Sequence, residues 1–478
     1  MTGVIRWARR VLPVLVLLGI LVSLVVNNAR PLTNTDTYFH LRFGEEFLHG
    51  WSLRHPGSVS TFATRPWAPT QWLSEIAMAK TEEWFGLAGV AWLAGLLQVA
   101  LFLAVYVAAR DHAEPVVAMP LTALSLYAME TGLSMRPQVI SYLLVAVVMT
   151  AWLRTRRDGR VRWWLVPLVW LWAMLHGMWP VAPVIGAVAV VGLALDRAPR
   201  GLVLRAAVVP VASAAAAALT PVGPELYTAV AAVRSRSRFF AEWGSPDWTS
   251  TYFLALAIVF VAAVLASWRR RHTSWTELLL VVLAGGFAVY SLRTVPVAAA
   301  MIAPLAAGPL QSLLGDRPAV GRREWMAVTG GSVVALLALA IAVPHTSADP
   351  PHEPAWADRA LSRLAPGTKV LDDWGWGGYL MWRYPQLDLV MHGYGDTFTT
   401  AELTRNQDLV VLAPGWEDSL RATGARVAVL RSSSGLADAL VTREGWRVVH
   451  DAGAYVMLRA PTSWISRGPA VAPVGSAR

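Results

Sequence analysis

The chain has 478 residues, 55% of them hydrophobic and only 15% charged, where an ordinary soluble domain carries about 25% charged residues. That balance excludes a soluble globular enzyme and reads as a polytopic membrane protein. The formal charge of +10 sits mostly in arginines between apolar runs, which is orientation signal and not a nucleic-acid surface. No cysteine is present, which removes disulfides, thiol catalysis and thiolate metal sites.

The N-terminus, MTGVIRWARR, leads into an apolar run. The following VVNNARP has no small-x-small cleavage pattern, so the run reads as an uncleaved first helix rather than a signal peptide. Apolar stretches able to span about 30 Å of hydrocarbon recur near 11–27, 86–109, 115–133, 138–153, 163–178, 180–195, 203–220, 251–268, 276–293, 295–314 and 325–343. The third carries Glu130, which weakens it. The 24 tryptophans suit interfacial belts. RWARR precedes the first stretch, and RTRRDGRVR, DRAPRGLVLR, RRRH and GDRPAVGRRE follow the fourth, sixth, eighth and tenth. With about eleven crossings these all share one side, which the positive-inside rule makes the cytoplasm. The expectation is an all-α membrane domain over 1–344, N-terminus cytoplasmic, with a first outer loop at 28–85.

That loop opens NTDTYFHLRFGEEFLHGW. On a helix, Asp36 and His40 share a face. One reading is a solvated interfacial helix with an Asp N-cap, burying Phe39, Phe43 and Phe47 and turning Asp36, Arg42 and Glu46 to water. The other places Asp36 at a cavity mouth, where partial withdrawal from water suits a carboxylate to general-base work. His40 would then orient it, or the two would hold a divalent cation, although two ligands do not define a metal site. Glu75 is a second acid in the same loop, or a helix-start residue.

Further charges gather toward the same expected side. Arg136 follows METGLSM, His176 ends AMLH, Glu242 and Asp247 lie in FFAEWGSPDW, and Arg293 ends YSLR. Each alone is more often structural, since charges in or beside spans usually have partners. Arginines converging on one mouth suit a phosphate or pyrophosphate, whose oxygens match the guanidinium fork.

From 345 to 460 the pattern changes to short β-like runs: KVLDDW, LDLVMHG, ARVAVLR, WRVVHD and AYVMLR. This reads as a small extracytoplasmic α/β domain. Within it, LDDWGWGGYLMWRY combines Asp373 with Trp374 and Trp376, aromatic surfaces that either stack on sugars or simply pack. The tail from 461 to 478 is rich in Pro, Gly, Ser and Ala and reads as disordered.

The stretches TDTYFHLRFGEEFLHGWSLRHPGSVSTFATRPWAPTQWLSEI, MRPQVISYLL, HGMWP, FFAEWGSPDW, LRTVPVAAAMIAPL and DDWGWGGYLMWRYPQLDLVMHGYGD together resemble bacterial membrane proteins grouped with the GT-C glycosyltransferases. The wider superfamily includes the oligosaccharyltransferase catalytic subunit, the protein mannosyltransferases and the lipid A aminoarabinose transferases. The resemblance implies a sugar donor linked to polyprenyl phosphate, membrane lipid around the site, and an envelope glycan, lipid or protein as acceptor, with no nucleic acid. It places Asp36 as base or metal ligand of the first outer loop. His40 and Glu75 join it as catalytic candidates. Arg42, Arg136, His176, Glu242, Arg293, Asp373, Trp374 and Trp376 are the substrate-binding set. Two departures stand out: the loop has no Asp-x-Asp pair, so a Mg or Mn ion lacks a clear ligand set, and the aspartates precede the tryptophan instead of following a pair of them. The alternative expectation is a non-catalytic relative that binds carrier lipid or scaffolds envelope assembly in the bacterial cytoplasmic membrane.

Overall fold

The structure, a computed structural model, describes residues 2–270, 274–315, 321–346 and 354–464. Most of the expected C-terminal tail, and parts of two of the arginine loops, lie outside the described residues. The chain divides into two units: Met1–Leu32 with Ala68–Asp349, and Thr33–Trp67 with Pro350–Arg478. The loop expected at 28–85 is therefore shared out, its middle belonging to the second unit.

The first unit is helical. Among the described residues seven helices are long and apolar enough to cross a membrane: Arg9–Asn28, Trp72–Arg110, Gln138–Asp158, Arg200–Ala217, Thr251–Trp268, Leu292–Gln311 and Arg322–Thr346. Four shorter apolar helices lie at Pro115–Ala128, Leu165–Leu175, Val181–Leu195 and Trp275–Tyr290. Each expected apolar stretch falls on one of these. The stretch that was to start at residue 86 does so at a break. Gly86 takes φ 63°, ψ −166° inside Trp72–Arg110, a conformation glycine adopts readily and other residues do not. The stretch expected to run to 133 stops at Ala128, and Glu130–Gly132 form a 3₁₀ turn instead.

Composition explains which helix sits innermost. Within Leu292–Gln311, 89% of the apolar window is buried, and the Val295–Gln311 sequence VPVAAAMIAPLAAGPLQ is dominated by small residues that let neighbouring backbones approach closely. The helices Thr251–Trp268, Trp275–Tyr290, Pro115–Ala128, Trp72–Arg110 and Gln138–Asp158 pack around it. Outward-facing positions are apolar as well, including Leu15, Leu18, Val22, Ile258, Val261 and Leu265. Such a surface suits hydrocarbon and not water. At the helix ends the arginines are paired. Arg110, almost wholly buried, donates to Glu324 at 2.6 Å, Arg156 to Glu277 at 3.0 Å, and Arg154 to Asp111.

The second unit is built on a five-stranded sheet: β1 (Lys369–Asp372), β2 (Asp388–Leu389), β3 (Val427–Arg431), β4 (Arg447–Ala452) and β5 (Tyr455–Arg459), in the order β2-β1-β3-β5-β4. These are the five β-like runs of the sequence. β1 runs parallel to β2 and β3, while β5 is antiparallel to β3 and β4. Alternation decides the two faces. Leu371, Ala428, Leu430, Val456 and Leu458 enter a core with Leu409, Trp416, Leu420, Leu436 and Leu440 of the covering helices.

Residues 33–67 are fastened to this unit. The Ser60 hydroxyl donates to the Leu389 carbonyl at 2.6 Å and the Thr61 amide to Asp388 at 2.9 Å. The Thr64 hydroxyl donates to Glu402 at 2.7 Å, and the Arg65 amide to the Thr397 carbonyl at 2.9 Å. The helix Asp36–Leu48 packs on the helix Trp374–Arg383. Gly378 makes that approach possible, because a Cβ there would lie 2.4 Å from the Thr35 carbonyl oxygen.

Candidate functional site

In the first unit, three of the expected residues meet. Arg136 and Arg293 converge on one carboxylate. Arg293 Nη1 donates to Glu242 Oε2 at 2.6 Å, and Arg136 Nη1 donates to Oε1. The local sequence positions each partner. Arg293 sits in the 3₁₀ turn Leu292–Thr294, held by a capping box between Ser291 and Thr294. Glu242 sits in the turn Ala241–Trp243, and the Leu292 amide donates to the Gly244 carbonyl at 3.0 Å. That bond ties the loop of the acid to the turn of the base. Arg293 also lies over the Trp243 ring, 5.5 Å from its centroid, and Arg136 Nε donates to the Ser134 hydroxyl at 3.0 Å.

The electrostatics follow from this geometry. Burial alone would raise the Glu242 carboxyl, but the guanidiniums of Arg293 and Arg136 outweigh it and hold it below its ordinary range. Two guanidiniums share this one carboxylate, and their planar donor forks have the geometry that matches phosphate oxygens.

His176 ends the Leu165–Leu175 helix and is 3% exposed. Its Nδ1 lies 2.7 Å from the Ser141 hydroxyl, which already receives Trp172 Nε1–H at 2.8 Å. The Met178 amide also points at Nδ1, at 3.4 Å. Ser141 therefore donates to Nδ1, and a neutral ring carries its proton on Nε2. Ser141 and Trp172 had no distinguishing mark in the sequence. Glu75 lies at the start of the Trp72–Arg110 helix and is wholly buried.

In the second unit, Asp36 is the first residue of its helix, not the cap. Thr35 precedes it, and the Asp36 amide donates to Asn34 Oδ1 at 2.9 Å. His40 is 4% exposed, its ring 4.4 Å from Phe39. Phe39, Phe43 and Phe47 are buried as the amphipathic pattern required, but against protein. Phe39 and Phe43 lie 4.9 and 4.5 Å from Tyr394, and Phe43 and Phe47 lie 5.2 and 6.3 Å from Trp67. Arg42 is engaged along its own helix, with Glu45 at 2.8 Å and with Glu46.

The aspartate-tryptophan segment is a strand-to-helix turn at the end of β1. Asp373 caps the helix Trp374–Arg383 by accepting the Gly375 amide at 2.9 Å, and it pairs with Arg431 at 3.3 Å. Trp374 is half-buried. Trp376 is 3% exposed, stacked 4.1 Å from Tyr455 and 5.7 Å from Tyr379, so packing occupies its ring. The neighbouring Asp372 is fully buried. Its Oδ1 accepts the Met391 amide at 2.7 Å, Oδ2 has no partner among the described residues, and burial pushes the carboxyl up to about 7. Among the described residues neither His392 ring nitrogen has a partner, and burial pushes the ring down to about 3. Both crowd Gly377, where a Cβ would lie 2.6 Å from Asp372 Oδ2 and 2.7 Å from His392 Cα. Among the described residues no three His, Asp or Glu side chains come together as metal ligands.

A bundle of apolar helices with a small α/β unit is a fold this chain shares with solved membrane-bound transferases. The chain matches no family model, and no curated protein is similar to it in sequence. By structure it is similar to the apo oligosaccharyltransferase of Archaeoglobus fulgidus, with a TM-score of 0.57 and 12% identity over 87% of this chain and 69% of that one. It is likewise similar to ArnT from Cupriavidus metallidurans bound to undecaprenyl phosphate, at TM-score 0.51 and 18% identity, covering 95% and 98% of the two chains. A third likeness is to the mycobacterial arabinofuranosyltransferase AftD, at TM-score 0.51 and 16% identity, over 93% of this chain and 40% of that one.

Proposed function

We propose that the chain is a GT-C-type membrane glycosyltransferase. It moves a sugar from a polyprenyl-phosphate-linked donor to an envelope acceptor on the outer face of a bacterial cytoplasmic membrane. With the N-terminus cytoplasmic by the positive-inside rule, about eleven crossings would put the α/β unit outside. The observation that carries this reading is the pair of guanidiniums of Arg136 and Arg293 sharing the single carboxylate of Glu242, on a fold shared with transferases. One of those was solved with undecaprenyl phosphate and another with a dolichol-phosphate.

In the reaction, the acceptor hydroxyl oxygen attacks the anomeric carbon of the donor sugar. The bond between that carbon and the phosphate oxygen breaks, and its electron pair leaves on the carrier phosphate. The acceptor proton passes to the Asp36 carboxylate. Arg136 and Arg293 stabilise the phosphate as its charge grows, so their binding strengthens toward the transition state. His40 orients Asp36, Glu75 is the second acid, and His176 supports the phosphate end. Arg42 joins Arg136 and Arg293 at the carrier phosphate, and Asp373 and Trp374 shape the acceptor side.

The test is transfer from radiolabelled polyprenyl-phosphate sugars in membranes containing the chain, its Asp36→Asn variant or its Asp36→Ala variant. Loss of a general base lowers the rate by about 10²–10⁴-fold. Undiminished transfer by both variants removes Asp36 from the mechanism.

A further inference from the structure

The second unit carries a groove that the transfer reaction leaves unused. It lies between the short helix Ala357–Leu361 and strands β4 and β5, with a volume of about 770 Å³. That is the size of a small-molecule cleft, about 300–1,000 Å³. Among the described residues three guanidiniums line it, those of Arg359, Arg363 and Arg459, against one carboxylate, Asp451. All three arginines are exposed, and none is spent on a hydrogen bond or ion pair among the described residues.

Its wall is aromatic. The rings of Trp356 and His450 lie parallel, 7° apart, with centroids 5.3 Å from each other. Trp356 Nε1 is buried and without a partner among the described residues. A β-bulge builds this arrangement. β4 pairs Val448 with Leu458 but His450 with Met457, leaving Val449 as the extra residue. The bulge re-aims His450, setting it opposite Met457 on the face of β5 that also presents Arg459. Without the extra residue a valine would stand there and the ring pair would not form.

We infer that this groove binds an acidic saccharide. A flat ring pair packs against the C–H face of a pyranose, and guanidinium forks match carboxylate or phosphate groups along a glycan. Concavity argues against a membrane surface, which would be met by a protruding apolar or basic edge. An aromatic wall with three unspent cations is an unsuited lining for a neutral or cationic chain. The site would hold a polyanionic envelope glycan beside the enzyme, as acceptor or anchor. The inference deepens the proposed transferase reading by naming the chemistry of its glycan partner, yet the binding it describes does not require that transfer occurs.

The test uses the full chain in detergent and calorimetric titration with tetragalacturonic acid, with cellotetraose as the neutral control. Vesicles of phosphatidylglycerol and of phosphatidylcholine are tested in parallel. The expected result is salt-sensitive binding of the acidic tetramer only, weakened at least about tenfold in the Arg359→Gln/Arg363→Gln double variant and in Trp356→Leu, with melting temperatures checked. Should those variants fail to fold, Arg459→Gln, on an exposed position of β5, carries the same expectation. Equal binding of the two tetramers, no binding of the acidic one, or unchanged binding in folded variants overturns the inference. So does capture by phosphatidylglycerol vesicles alone. Transfer from a polyprenyl-phosphate donor is measured on the same preparations. Binding without transfer counts against the proposed function, and transfer without binding counts only against the groove.

Discussion

Arg293 and Glu242, 51 residues apart in sequence, are joined by a hydrogen bond of 2.6 Å, and Arg136 occupies the other oxygen of the same carboxylate. In the proposed reaction Glu242 would occupy the place of the carrier phosphate. Removing it takes away the carboxylate that the mostly buried Arg136 shares with Arg293. Breaking a fully buried pair costs about 3–5 kcal/mol. Glu242 is one-third exposed, so the expected cost of Glu242→Gln is smaller, about 2 kcal/mol. Undecaprenyl phosphate should restore the melting temperature more in the variant than in the parent, because it supplies the missing charge. Equal ligand shifts in the two proteins would count against Glu242 as an occupant of the phosphate position.

The arginine fork itself is open to test. Arg293→Lys keeps the charge but loses the planar pair of donors and the contact with Trp243. Donor affinity should fall about tenfold, with a smaller change in acceptor KM. A variant indistinguishable from the parent in donor titrations would leave charge alone as the requirement.

The α/β unit should respond to pH through Asp372 and His392, with opposite signs. The folded Asp372 carboxyl is raised from 3.8 to about 7. Its stabilising contribution is present below the unfolded value and is lost as pH rises toward and through 7. His392 is lowered from 6.5 to about 3, so its contribution is present above 6.5 and is lost as pH falls toward 3. Between these limits the two slopes oppose each other. In Asp372→Asn only the histidine slope remains, and unfolding monitored across that range should show stability rising with pH up to about 6.5. A profile identical to the parent's would mean that the Asp372 carboxyl is not held protonated.

Gly378 is the contact point between the two segments that the sequence marked most strongly. An added methyl meets the Thr35 carbonyl oxygen at 2.4 Å, and backbone cannot swing aside as a long side chain can. Gly378→Ala should destabilise by about 1–3 kcal/mol and raise protease sensitivity around Asp36. Gly375→Ala is the contrast: the nearest atom there is the end of the Arg431 side chain, at 2.6 Å, which can move. Similar losses in both variants would dispose of the explanation by backbone clash.

The membrane helices and the five strands were legible in the sequence because each is a local pattern. The length of an apolar run against hydrocarbon thickness marks the first, and alternation between turn residues marks the second. Even the Gly86 break coincided with an expected boundary, since glycine is itself the local cause. The helix at Asp36 was legible too, along with which of its phenylalanines turn inward. What those rings bury against was not legible: Tyr394 lies about 350 residues further along, and periodicity names a face without naming its partner. Arg136, Glu242 and Arg293 could be singled out as costly charges near spans, and only helix packing decided that all three meet. Trp376 likewise read as a ring that either stacks on a sugar or simply packs, until the sheet placed Tyr455 against it. Charge, hydropathy and period act between near neighbours along the chain and are written there. Ion pairs, ring stacks and the fastening of residues 33–67 by Asp388 and Glu402 join distant positions, and the closure of the fold alone selects them.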